Sequence, residues 1–502
     1  MKRLNLLIIA PSSAKDLYQE LSTKYSAIET NIWAGLLANS VRALGIGVEI
    51  LDIEALRLSN EEAAIKVKEI NPKLVLLVPT GQNPNSSSAS MNGAINIAEA
   101  IRNISDIKLA IVGPHVNALP KETLEKHSCL DIVLTNEGVY ALRNLVQSNL
   151  QSDLPSINGI CFRNNNDIIM NPAERIVPQD RLHIDLPGVA YDLMPSLNKY
   201  RTSTWHCNYH EKDVSPFASI YTSLGCIYKC EFCMINIINR TDNDKFKAAS
   251  DFSTFRYWDP DFTISQLDYL ANQGVKQIKI ADEMWVLKPK HFMTLCDKII
   301  ERQYDFNIWA YTRIDTVKPQ YLEKLKQAGV NWLAVGIEAG NQEIRREITK
   351  GKFEDINIRQ VIQMIKDADI NVGGNFIFGL GHDTWDTMQE TLNLAFELNT
   401  EMFNCYAATS LPGSPLYQKA RKENWTLPQK YSEFGFLSYD HVPSKTYSLT
   451  ASEVLAFRDY AFRAYFQNPR FLNMIYNKFG QPAIDSIKKM TKIKLKRKLL
   501  GH

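Results

Sequence analysis

Twice along this chain, short apolar runs alternate with stretches of helical periodicity, and that alternation limits the fold more than any other feature. Leu4 to Ala10, Val48 to Asp52, Leu74 to Pro79, Lys108 to Val112 and Asp131 to Leu134 are short and apolar enough to be buried strands. Between them, Ile32 to Leu44, Glu61 to Ile70, Met91 to Ile101 and Val139 to Val146 read as helices, the first closing at Gly45. Strands apolar on both faces and separated by helices predict an α/β fold with a doubly wound parallel sheet. The pattern resumes with strands at Phe217 to Thr222, Gln277 to Ala281, Asn307 to Tyr311, Trp332 to Ile337, Gly374 to Phe378 and Met402 to Ala408. Six βα units on one sheet predict a barrel or part of one.

The domain plan that follows is a sheet domain over 1–150, a polar linker and irregular bridge over 151–216, a partial barrel over 217–420 and a mainly helical region over 421–502. The linker contains a small hairpin around Asn164 to Asp167, and Leu449 to Phe466 reads as an amphipathic helix. With 45% hydrophobic and 22% charged residues and a formal net charge of +2, the chain has a globular composition. It shows no export signal and no run near the ~18 apolar residues that span a bilayer, so a reducing, cytoplasmic setting is expected. Nucleic acid is not an expected partner. Seven Lys or Arg between Lys488 and Lys498 predict a solvated, frayed tail, with weak contact to an anionic membrane surface as the sharper alternative.

Ligands of parallel sheets sit at the carboxyl ends of the strands. In the first sheet those ends carry Pro11-Ser12-Ser13, Thr80-Gly81-Gln82-Asn83, Gly113-Pro114-His115 and Thr135-Asn136-Glu137-Gly138. Small, hydroxylated and glycine residues allow a large polar ligand to approach the backbone. No G-x-G-x-x-G follows the first strand, which disfavours a dinucleotide. In the barrel the tips are Asp282-Glu283, Thr312-Arg313, Glu338-Ala339-Gly340, Gly379-Leu380-Gly381-His382 and Ser410-Leu411-Pro412-Gly413. The first barrel strand leads into G-C-I-Y-K-C-E-F-C, which places Cys226, Cys230 and Cys233 within eight residues. A structural zinc site would need a fourth ligand, for which His206, Cys207 and His210 are near in sequence. A redox dithiol of Cys230 and Cys233 leaves Cys226 idle. An iron–sulfur cluster with one free iron uses all three thiols. The other cysteines, such as Cys161, Cys296 and Cys405, read as buried apolar residues.

The C-x3-C-x2-C loop, with Phe232 before its last cysteine and placed after the first barrel strand, resembles that of the radical S-adenosylmethionine enzymes. The resemblance implies a 4Fe-4S cluster on Cys226, Cys230 and Cys233, whose free iron chelates S-adenosylmethionine. It further implies that Glu283 in I-A-D-E-M-W faces the methionine amino group, Arg313 pairs with its carboxylate, and Glu338 in G-I-E-A-G-N lies near the ribose. Gly374 to Gly379 resembles the segment that passes the adenine. A sheet domain ahead of the barrel, with V-G-P-H-V-N-A-L-P-K-E and T-N-E-G, is similar to the Rossmann-like domain of the cobalamin-binding members. That similarity assigns Ser12, Ser13, Thr80, Gly81, Gly113, Pro114, His115, Asn136, Glu137 and Gly138 to the cobalamin side. The D-x-H-x-x-G cobalt-binding signature is absent, and Gly381-His382 stands where relatives usually show Pro-Gly.

What the resemblance implies for activity is a methyltransferase acting on an unactivated carbon of a small molecule, through a 5′-deoxyadenosyl radical and methylcobalamin. An external electron donor of the flavodoxin or ferredoxin type would reduce the cluster. A cyclase or rearrangement enzyme with the same cofactors is the alternative, and an iron–sulfur sensor without turnover the remote one. The charged or glycine-rich tips on five other barrel strands have no use in a bare sensor.

Overall fold

The computed structural model describes residues 3–80, 83–239, 247–349 and 356–502. Its first layer is a parallel sheet of β1 (Leu6–Ala10), β2 (Val48–Asp52), β3 (Leu74–Leu77), β4 (Lys108–Val112) and β5 (Ile132–Leu134). Helices cover both faces, so β1, β3 and β5 are buried at every position. Each of their Leu and Ile side chains contributes about 1.5–3 kcal/mol by leaving water.

The hairpin expected in the linker belongs to this sheet. β6 (Ile160–Asn164) and β7 (Asp167–Met170) add antiparallel to β5, giving the order β2-β1-β3-β4-β5-β6-β7. An otherwise bare β5 edge is the nearest partner for the strand that follows it, and left-handed Asn165 turns the hairpin. The order reverses between β1 and β3, so the cleft for a ligand opens there. The rest of the bridge is pinned by Asp185, which accepts from Tyr140 at 2.7 Å, Arg143 at 2.7 Å and Arg181 at 2.9 Å.

The second layer is a six-stranded parallel sheet of β8 (Phe217–Ile220), β11 (Gln277–Ile280), β12 (Asn307–Arg313), β13 (Val330–Glu338), β14 (Asn371–Phe378) and β15 (Met402–Ala407). A short antiparallel ribbon pairs β9 (Ser223–Leu224) with β10 (Arg256–Tyr257) beside it. The strands run in sequence order, and β8 and β15 are not paired with each other, so the barrel is open on one side. The first lobe fills that side: Thr30 Oγ1 accepts the Ser219 N–H at 3.0 Å, and Glu29 meets Lys279 inside the barrel at 2.7 Å. Helix Ala451–Phe466 packs behind β15, where Arg458 Nε donates to the Cys405 carbonyl at 2.8 Å.

The basic tail is not frayed. Arg497 is fully buried, with its guanidinium on Asp459 at 2.9 Å and on the Ser438 carbonyl at 2.9 Å. Gln19 of the first lobe donates to the carbonyls of Leu437 at 2.7 Å and Lys496 at 3.1 Å. A guanidinium with a carboxylate and several carbonyls in reach tolerates burial that isolated lysines do not. Among the described residues no helix is long and apolar enough to cross a membrane.

Candidate active site

Alternation along the barrel strands turns every second side chain inward, and their carboxyl ends gather the charged tips at one mouth. Asp282 organises that mouth from below. Fully buried, it accepts the Thr222 N–H, the Thr222 hydroxyl and the Ser223 hydroxyl, all at 2.6 Å, and so locks β8 to the start of the cysteine loop. Burial raises its carboxyl to about 6 against those bonds.

Past Gly225 the loop carries Cys226, Cys230 and Cys233, all free and half-buried. The Tyr228 N–H points at Cys226 Sγ at 3.5 Å and the Ile235 N–H at Cys233 Sγ at 3.5 Å. Asn236 clasps the loop by accepting the Cys226 N–H at 3.2 Å and donating to its carbonyl at 2.6 Å. Phe232 packs beside Ala339, Ile377 and Ala408, anchoring the loop on the tips of β13 to β15. Burial pushes the Cys226 thiol up to about 11 and the Cys230 thiol to about 12; bound iron would take the protons off. Among the described residues no three His, Cys, Asp or Glu side chains already form a closed metal site, the His206, Cys207 and His210 group included. An iron–sulfur cube stands between its ligands and holds them apart, so its three thiols need not be gathered on one point before it binds.

Three further tips face this loop. Glu283 is buried enough that its carboxyl rises to about 8, and its Oε2 has no partner among the described residues. Glu338 ends β13 in the left-handed region at φ 69°, where the register with β14 shifts. A non-glycine residue there is strained, and the irregularity re-aims its carboxylate. Burial raises that carboxyl to about 7, opposed by Arg313. The room for it comes from Gly336, where a Cβ would stand 2.6 Å from Glu338 Oε1. Arg313 is held by both oxygens of Asp315, one at 2.6 Å from Nε, and its guanidinium lies 3.4 Å over the Tyr228 ring, beside Cys230. A carboxylate, a strained carboxylate and a guanidinium thus converge on the three thiols, the set that the sequence singles out. His382 is on the exposed surface, 3.2 Å from Glu347, as a loop residue rather than a pocket residue.

The first sheet's tips are arranged differently. Ser13 Oγ accepts the Gly93 N–H at 3.0 Å and donates to the Ser90 carbonyl at 3.2 Å. Ser12 presses its carbonyl on Gly93, where a Cβ would collide. Thr80 donates to Asn31 at 3.3 Å, and Gly81 lies outside the described residues. Gly113 and Pro114 open the short helix that carries His115, whose Nδ1 pairs with Ser88 Oγ at 2.9 Å; burial drives its pKa down to about 3. Asn136 has no partner for its buried Oδ1 among the described residues and donates to the Glu174 carbonyl at 2.5 Å; Gly138, at φ 72°, caps the next helix. Glu137 receives Arg256 of the barrel ribbon at 2.8 Å, a buried ion pair between the two layers. Thr80, Gly113, Pro114, Asn136 and Glu137 line a cavity of only about 20 Å³.

The space is elsewhere. A cavity of about 320 Å³ lies at the β1–β3 reversal, walled by Leu17, Tyr18 and Ala89 of the first lobe and by Lys279, Tyr311 and Tyr406 of the barrel interior. Trp205 and His206 of the bridge form its floor, whereas Tyr191 spends its hydroxyl on the Ser219 carbonyl at 2.7 Å. Sequence reasoning missed Lys279, although the Q-I-K-I strand shows its polar residues at alternate, inward positions. It also missed Asn85, whose side chain reaches the third cysteine from the first lobe; no local signal marks it.

Residues 220–395 match the family model of the Radical SAM superfamily, and residues 21–146 match that of the B12 binding domain. An uncharacterized methyltransferase of Pyrococcus horikoshii is 25% identical over 445 residues, which cover 86% of this chain and 87% of that one. The anaerobic magnesium-protoporphyrin IX monomethyl ester cyclase of Cereibacter sphaeroides is 23% identical over 438 residues, 84% of this chain and 64% of that protein. Among solved structures, TsrM of Kitasatospora setae, a radical S-adenosylmethionine methyltransferase with cobalamin and a 4Fe-4S cluster bound, superposes with a TM-score of 0.66. The match covers 98% of this chain and 99% of TsrM at 15% identity, a likeness of fold.

Proposed function

We propose, for a chain that belongs to the cobalamin-binding radical S-adenosylmethionine family, that it is a methyltransferase acting on an unactivated carbon of a small molecule. The observation that carries this reading is the convergence of the two layers. The cysteine loop at the barrel mouth touches the β3 side of the B12-binding domain through Asn85, and the 320 Å³ cavity lies where the same two layers meet. Pockets of that size hold small molecules.

Cys226, Cys230 and Cys233 would hold the cluster, and the apolar wall of Leu17, Tyr18 and Ala89 suits one face of a corrin. Pro11-Ser12-Ser13 offers no imidazole to the cobalt. Bound there, the cluster would supply an electron to S-adenosylmethionine and cobalamin would supply a methyl group. The chain's own residues bind and orient. Glu283, kept dry and lacking a partner on Oε2, accepts from an ammonium; Arg313 answers a carboxylate; Glu338 accepts from hydroxyls. Helix Ala451–Phe466 closes one wall of the cavity through Arg458, Phe462 and Phe466 and helps exclude water from it. A reducing, cytoplasmic setting and a flavodoxin- or ferredoxin-type donor suit a cluster that must be reduced.

The test uses the whole chain reconstituted anaerobically with iron, sulfide and hydroxocobalamin. Reductant and S-adenosylmethionine should yield 5′-deoxyadenosine, and a label in the donor methyl should pass to bound cobalamin. Absence of bound cobalamin would sink methyl transfer and leave the radical reading standing. A substrate turned over without gain of the labelled methyl would instead favour ring closure or rearrangement, the chemistry named for the Cereibacter relative.

A further inference from the structure

One contact joins the two layers at a cluster sulfur. Asn85 lies in the single turn Pro84–Ser86 after β3, 148 positions before Cys233. Its Oδ1 accepts the Met234 N–H at 3.0 Å, which fixes the orientation of the amide and turns Nδ2 toward Cys233 Sγ at 3.8 Å. As a thiol, Cys233 also reaches Oδ1 at 3.9 Å. A thiolate on iron has no proton to give, so the Nδ2 donation is the one that survives cluster binding. The other groups directed at the three sulfurs belong to the barrel: the N–H groups of Tyr228 and Ile235, and Arg313. Among the described residues, Asn85 is the donor that the B12-binding domain contributes.

A hydrogen bond to a cluster ligand stabilises the reduced, more negative state over the oxidised one and so raises the reduction potential. We infer that Asn85 is a positioning residue that sets the cluster's potential through Cys233 and makes it depend on the docking of the B12-binding domain. This rests on the cluster assignment above. Reduction is then favoured when the second cofactor's domain is seated, which couples electron entry to an assembled site.

The experiment is a redox titration of the reconstituted whole chain, followed by the paramagnetic signal of the reduced cluster, with iron counted in each sample. Asn85→Ala should hold as much iron as the wild type. At the poise that half-reduces the wild type, its ratio of reduced to oxidised cluster should fall by about threefold, a fraction of the worth of one hydrogen bond to a charged group. Asn85→Asp keeps the acceptor for the Met234 N–H but sets a carboxylate against the sulfur. Its shift should be larger and in the same direction, about tenfold, which is 59 mV for a one-electron couple. Unchanged midpoints in both variants at full iron content would overturn the inference. So would loss of iron in Asn85→Ala with an unchanged midpoint in Asn85→Asp, which would leave Asn85 a scaffold residue. A wild type that assembles no cluster overturns the cluster assignment itself, and this inference with it.

Discussion

The two rows of strand tips obey one topological rule and are used in opposite ways. At the barrel mouth, groups are left waiting: Glu283 Oε2 lacks a partner, Glu338 is held in a strained backbone, and three thiols remain free. In the first sheet most tips are already bonded, although Asn136, at φ 57°, keeps a buried Oδ1 with no partner among the described residues. Ser13 is bonded to Gly93 and Ser90, His115 to Ser88, and Glu137 to Arg256. Position at a carboxyl end therefore identifies where a ligand can be, and the two rows differ in how many of their groups are left unsatisfied or strained, more at the barrel mouth than at the first sheet. For the first sheet the open ground is the β1–β3 reversal, where Leu17, Tyr18 and Ala89 stand beside Glu29, Asn83 and Ser86.

The sharpest break in this contrast is at the cysteines. Cys226→Ala, Cys230→Ala or Cys233→Ala should each abolish the cluster's visible absorbance after anaerobic reconstitution, while far-ultraviolet dichroism stays that of the folded chain. Next comes the bond between the rows. Glu137→Gln leaves Arg256 buried without its counter-charge and should cost about 3–5 kcal/mol, read as a lowered denaturation midpoint. Glu283→Gln should weaken S-adenosylmethionine binding by roughly tenfold with iron content unchanged, the worth of one hydrogen bond between charged partners. Ser13→Ala, the matched change in the other row, should cost about 1 kcal/mol of stability and leave hydroxocobalamin binding as it was. A tenfold loss of cobalamin affinity there would erase the distinction between the rows.

One further effect depends on pH. Asp185 is held down to about 2 by Arg181 first, then by Tyr140 and Arg143. A carboxyl depressed in the folded state stabilises above its ordinary value near 3.8 and loses that contribution as pH falls toward 2. The stability gap between wild type and Asp185→Asn should therefore be full at neutral pH and close between about pH 4 and 2, seen as converging melting temperatures.

How much of this was legible in the sequence follows the distance between partners. The cluster loop is local, since Cys226, Cys230 and Cys233 announce their chemistry within eight residues. Glu283, Arg313 and Glu338 are legible because each ends a strand whose apolar run is plain. Contacts across the layers carry no such mark. Glu137 with Arg256 spans 119 positions, Asn85 with Cys233 spans 148, and Glu29 with Lys279 spans 250. The basic tail misled for a related reason: six exposed lysines at Lys488, Lys489, Lys492, Lys494, Lys496 and Lys498 conceal one buried arginine. Its tertiary partners, Asp459 and the Ser438 carbonyl among them, distinguish Arg497 from its neighbours. The hairpin β6–β7 was visible as a hairpin, but its membership of the sheet depends on an edge left bare by β5.

The close approach of Glu338 to Gly336 has a consequence for how this mouth can change over time. Any side chain at position 336 intrudes on the path of the carboxylate two residues on, and any residue at 338 must accept a left-handed backbone. A side chain at 336 is therefore accommodated only if the Glu338 carboxylate moves away, so the cost of a change at 336 depends on the residue at 338. Positions 336 and 338 are thus coupled: the effects of changing them one at a time should not add up to the effect of changing them together.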